Sequence, residues 1–81
     1  MDRRKVFAER LTSARKTKLW TKQHLATRVG VSDVAIGYYE HATTWPGVET
    51  LIALAEALDV SLDWLCGLSD EPKRVDAHKK P

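Results

Sequence analysis

The residues best placed to do chemistry in this chain are its cations. Residues 1–28 hold nine Lys or Arg against two acids, residues 29–71 hold eight acids and no Lys or Arg, and the stretch from Pro72 carries four cations and one acid. A basic first third suits contacts to phosphate, whereas the acidic remainder is not the surface of a protein that embraces a polyanion on all sides. Catalysis finds nothing to work with, because no nucleophile with a base, no paired carboxylate site and no phosphate loop is visible. The expectation is a binding protein and not an enzyme. Cys66 is the single cysteine and the three histidines are scattered, so neither an internal disulfide nor metal-ligand spacing is available, and no metal or cofactor is expected.

The elements that must position these cations fit within one domain. At 81 residues, with 43% hydrophobic and 30% charged residues, the composition is that of a globular protein with a modest core. No apolar run approaches the roughly 18 residues of a membrane span, and the basic start Asp2-Arg3-Arg4-Lys5 is not followed by a signal-type apolar core. A cytoplasmic protein without membrane contact is expected.

Phe7, Leu11 and Ala14, with Val6 beside them, mark one helical stripe from Arg3 to about Thr17, with Asp2 as its cap. Thr21 caps a second helix in which Leu25, Ala26 and Val29 share a face, and Gly30 ends it. Ser32 caps a third, running to about His41, with Ala35, Ile36 and Tyr39 facing inward. The loop 42–47 follows, ending in a Pro-Gly pair. Val48, Leu51, Ile52, Leu54, Ala55 and Leu58 form the broadest apolar stripe, which predicts a fourth helix, Val48 to Leu58, as the central core element. Ser61 caps a short last helix with Leu62, Trp64 and Leu65, ended by Gly67. Residues 1–68 are therefore expected to form the domain, and 69–81, sparse in hydrophobic residues, a flexible basic tail or linker. Lys73, Arg74, Lys79 and Lys80 there either grip phosphates or are simply solvated.

Two short helices joined by a tight turn need a small residue where they cross, a turn residue tolerant of positive φ, and an aliphatic anchor on the second helix. Ala26, Gly30 and Ile36 meet these demands, and Leu25, Val31 and Tyr39 fill the other buried positions. With this set, Lys22 to Tyr39 resembles the helix-turn-helix of the Cro and CI type (XRE-like) repressor family. The likeness extends over residues 6–68, through Pro46 and the closing Ala55-x-x-Leu58-x-Val60-Ser61-Leu62-Asp63-Trp64-Leu65. It implies an all-α, five-helix, lambda-repressor-like domain that binds double-stranded DNA, with the third helix in the major groove.

The resemblance assigns base-facing positions to Ser32, Asp33, Val34, Gly37 and Tyr38. Asp33 is suited to accept from a cytosine amino group, Val34 to pack on a thymine methyl, and Tyr38 to donate to a base or a phosphate. It places Thr21, Lys22 and Gln23 at the backbone end of the second helix. Lys22 stands where Gln is common, adding phosphate charge and losing an amide fork. His24 reads as an exposed helical histidine. Arg15 is expected to pair with Glu40, its remaining donors either structural or facing a phosphate. The family commonly has Gly two residues after this Glu, and basic residues in the loop. Here Ala42, Thr43 and Thr44 imply a different loop conformation, with Thr43 the polar contact on that side. Trp45 either packs over the loop or meets a partner. Leu62 lies where relatives make their two-fold contact, implying a homodimer, formed before or only on DNA.

The function implied is a transcriptional regulator, most simply a repressor on a pseudo-palindromic operator. The alternative is a protein-interaction module on the same scaffold, suggested by the absence of Lys and Arg from the third helix and its loop.

Overall fold

The computed structural model describes residues 2–74. They form α1 (Arg3–Thr17), α2 (Lys22–Val29), α3 (Asp33–Glu40), α4 (Val48–Leu58) and α5 (Leu62–Leu65), the expected all-α order. Four of the five starts are closed by the expected caps. Asp2 accepts from the amides of Arg4 and Lys5, Thr21 from His24, Ser32 from Ala35 and Ser61 from Trp64. Each bond satisfies a donor that has no partner within the first helical turn. α4 starts from Gly47 without a side-chain cap.

The helix ends share one pattern. Amide-to-carbonyl bonds from Trp20 to Arg15, Val31 to Ala26, Thr43 to Tyr38, Val60 to Ala55 and Leu68 to Asp63 each wrap the chain over the last turn. That wrap requires a left-handed residue in the middle. Gly30 and Gly67 supply it at φ 78° and 82°, but so do Leu19, Ala42 and Asp59 at φ 62°, 60° and 58°. The different loop conformation expected from the missing glycine at position 42 is thus not adopted. Ala42 takes the left-handed geometry that a glycine favours, because the closing bond to Tyr38 demands it. Replacing Ala42 with Gly should therefore stabilise the protein by about 0.5–1 kcal/mol, seen as a Tm higher by roughly 4 °C. A Tm that falls on thermal denaturation would contradict the strain.

The core is shared rather than centred on α4. Its fully buried large side chains are Phe7 and Leu11 from α1, Leu25 from α2, Ile36 from α3, Leu54 from α4 and Leu65 from α5. α3 packs on α1 and α2, while α4 packs on α2 and α5. Only part of the expected α4 stripe faces inward: Leu54, Ala55 and Leu58 are buried, but Val48 is 72% and Ile52 41% exposed. The stripe is wider than the groove that receives it. Trp45 covers the core by stacking on Phe7, with ring centroids 5.1 Å apart.

The boundary expected at residue 68 does not mark the end of the contacts. Arg10 donates to the carbonyls of Trp64 and, at 2.8 Å, Ser69, and its guanidinium also lies 3.5 Å from the Asp70 carboxylate. The Ser61 amide donates to the Pro72 carbonyl at 2.8 Å, and Arg74 reaches Asp59 at 3.4 Å. Residues 69–74 are thus strapped to the domain by hydrogen bonds, which a count of hydrophobic residues does not register. Lys79 and Lys80 lie outside the described residues. Among the described residues no helix is long and apolar enough to cross a membrane.

Candidate nucleic-acid interface

The tight turn between α2 and α3 carries the geometry. Gly30 turns the chain, and Val31 and Ser32 start α3 against Leu25 and Ala26, which are 0% and 2% exposed. With Ile36 fully buried, the opposite face of α3 must point to solvent. That face carries Asp33, Val34, Gly37, Tyr38 and His41. Val34 and Tyr38 are 57% and 53% exposed, unusually open for their size. Asp33 and His41 are exposed and Gly37 is half-buried.

The two polar caps have a second capability. The Thr21 hydroxyl accepts from the His24 amide at 3.0 Å and the Ser32 hydroxyl from the Ala35 amide at 3.1 Å. An accepting hydroxyl keeps its own proton free to donate outward. Gln23 is exposed and Lys22 half-buried at the first turn of α2, where the helix dipole favours an anion. Thr43 is exposed, and its amide is already used on the Tyr38 carbonyl at 2.9 Å.

Arg15 and Glu40 brace α3 from behind. The Arg15 Nε and a terminal nitrogen donate to the two Glu40 carboxylate oxygens at 2.6 and 3.1 Å, and the other terminal nitrogen donates to the Trp20 carbonyl at 2.7 Å. The side chains are 9% and 4% exposed. Three of the five Arg15 donors are thus held within the domain, on a side chain closed off from solvent, so of the two readings open for it the structural one describes the geometry. Arg10 is consumed similarly by α5 and the strap. The remaining cations of the basic third, Arg3, Arg4, Lys5, Lys16, Lys18, Lys22 and Arg28, pair with no carboxylate among the described residues.

One arrangement is only faintly marked in the sequence. Trp20 lies against His24 at 4.8 Å, with the Arg28 guanidinium over its ring at 4.5 Å and the Lys18 ammonium at 5.4 Å. Arg28 Nε donates to His24 Nε2 at 3.0 Å. Only the spacing of four between residues 20, 24 and 28 hinted at it, and helix pairs at that spacing are usually bland. It gathers cations on the flank of α2.

The acidic charge is sorted in space. Of the eight acids in residues 29–71, Asp33 and Glu40 lie on α3, and Glu40 is neutralised by Arg15; the others sit on α4, α5 and the segments after them. On that side Leu62, 37% exposed, lines a groove of about 300 Å³ with Ile52, Val60 and Arg74. Cys66 follows, half-buried, its thiol pushed above the usual range by burial and by the Asp63 carboxylate. It is therefore held as the neutral, less reactive thiol.

Known proteins share this frame. The Helix-turn-helix family matches residues 11–65. An uncharacterized HTH-type transcriptional regulator of Bacillus subtilis, YqaE, is 40% identical over 76 residues, which cover 93% of this chain and 66% of that protein. Repressor protein C2 of Salmonella phage P22 is 40% identical over 60 residues, 74% of this chain and 28% of that one. The crystal structure of the P22 c2 repressor in complex with a synthetic operator superposes with a TM-score of 0.76 at 38% identity, covering 79% of this chain and 97% of that one. The chain spans 60% of the length of YobD, another Bacillus subtilis regulator 34% identical to it, and so less than two thirds of both bacterial relatives. With the family matched across most of α1 to α5 and the same five-helix frame in a solved relative, this chain belongs to the helix-turn-helix family.

Proposed function

We propose that this chain binds double-stranded DNA in a sequence-dependent way and serves in the cytoplasm as a transcriptional regulator, most simply a repressor. The observation that carries the reading is the exposed strip of α3, braced by Arg15 and Glu40 in a frame that the P22 c2 repressor presents to an operator. α3 enters the major groove, where Asp33, Val34 and Tyr38 meet base edges and Ser32 donates from the helix start. Thr21, Lys22 and Gln23 hold the backbone at the start of α2, and Thr43 meets it beyond α3. Two copies meet through Leu62, giving half-sites about one helical turn apart on a pseudo-palindrome.

Selection from random duplexes, followed by titration against salt, tests this. An enriched palindrome with a steep salt slope is expected. Lys22→Ala should weaken all sequences alike and lower the slope by about 1, whereas Tyr38→Ala should relax one position of the motif by about 1–3 kcal/mol. The absence of Lys and Arg from α3 and its loop favours a second reading, a protein-interaction module. No enrichment, with binding lost at physiological salt, would select that reading instead.

A further inference from the structure

α3 keeps a glycine that the fold does not use. Gly37 has ordinary helical backbone, since among the described glycines only Gly30 and Gly67 have positive φ. A Cβ added at Gly37 would meet nothing within 4 Å, so no neighbour needs the space. A glycine inside a helix is less stable than alanine there, through the entropy it loses on folding. The protein thus bears a cost at residue 37 for which its own interior offers no return, and the reason must lie outside it.

The position says where. At roughly 100° per residue, Asp33, Gly37, His41, Val34 and Tyr38 occupy one strip in that angular order, with Gly37 inside it. A helical side chain leans back over the preceding turn, so one at position 37 would cover Asp33 and the flank of Val34. Without it the backbone floor is bare between Asp33 and Val34, and Val34 is more than half exposed. The result is a notch with an apolar wall in a surface otherwise set for hydrogen bonds. In the major groove the apolar feature of a base pair is the thymine 5-methyl group.

We infer that Gly37 is a specificity-determining residue: it opens a notch beside Val34 that seats a thymine methyl. This rests on the DNA-binding reading above and deepens it by naming the base and the residue that admits it.

The probe is the duplex that the unmodified protein enriches from a random pool, together with copies carrying uracil for thymine at each position in turn. One such replacement per half-site should weaken binding by the unmodified protein about fourfold, the worth of one buried methyl. Gly37→Ala should raise the Tm by roughly 4 °C yet bind the thymine duplex about tenfold more weakly, and should be indifferent to that replacement. A Gly37→Ala variant that is less stable, or that binds within about twofold of the unmodified protein, overturns the notch. Uracil copies that all bind the unmodified protein like the parent overturn the methyl as its occupant. If the unmodified protein enriches no duplex, the DNA-binding reading itself fails and the notch with it, an outcome separate from a defect confined to Gly37→Ala.

Discussion

Replacing Glu40 with alanine should cost about 3–5 kcal/mol, a large part of the roughly 4–12 kcal/mol that holds a domain of this size. The reason is what the substitution leaves behind. Arg15 is 8% exposed, and without the carboxylate its Nε and one terminal nitrogen lose their acceptors while the charge remains buried. The Trp20 carbonyl holds only one of its donors. Urea denaturation should show a midpoint shift at unchanged m-value. Replacing both partners with apolar residues of similar size, Arg15→Met with Glu40→Leu, should recover most of the loss, because it is the orphaned charge that is costly. A Glu40→Ala cost under about 1 kcal/mol would show the pair to be solvated, as surface pairs are. Since Arg15 joins the end of α1, the α1–α2 connection and the end of α3, DNA binding should weaken with folding.

Ile36→Ala should cost a comparable 2–5 kcal/mol, by transfer and by the cavity left. Ile36 is fully buried and is the one completely enclosed large side chain of α3. The helix is otherwise held by its cap, its partly buried Ala35 and Tyr39, and Glu40. Ile36→Val removes one methylene and should cost only about 0.5–1.5 kcal/mol. The pair of variants separates packing from recognition. At a temperature where Ile36→Ala is still folded by circular dichroism, its affinity for the selected duplex should be reduced although no exposed residue has changed. Unchanged affinity in that folded variant would mean that α3 is positioned by its brace alone.

Both predictions concern residues whose roles are legible in the order of the amino acids. Ala26, Gly30 and Ile36 announce theirs because each position demands a residue type that few others can satisfy. The caps Asp2, Thr21, Ser32 and Ser61 are equally plain, since a helix start needs an acceptor that its own ladder does not provide. The same local logic fails at helix ends. Leu19, Ala42 and Asp59 adopt left-handed φ because each chain must turn back onto a core that no local propensity describes.

The candidate site divides in the same way. That residues 33, 34, 37 and 38 share one face of α3 follows from helical periodicity, and that Cys66 has no cysteine partner follows from counting. Which cations are free does not follow. The pairing of Arg15 with Glu40 is expected from the family resemblance, but Arg10 looks like any other member of the basic third, and only the folded chain shows it committed to the Trp64 and Ser69 carbonyls. The acidic stretch likewise opposes DNA binding when read along the chain, but the fold pairs Glu40 with Arg15 and carries the acids after it on α4, α5 and beyond, leaving Asp33 alone on the strip. Residue order carries local demands, of cap, turn and stripe, because these act over a few neighbours. The partners of Arg10, the docking of residues 69–74 and the grouping of Lys18, Arg28 and His24 about Trp20 depend on contacts between segments distant in sequence or across a turn, and arise only once the five helices have closed on their common core.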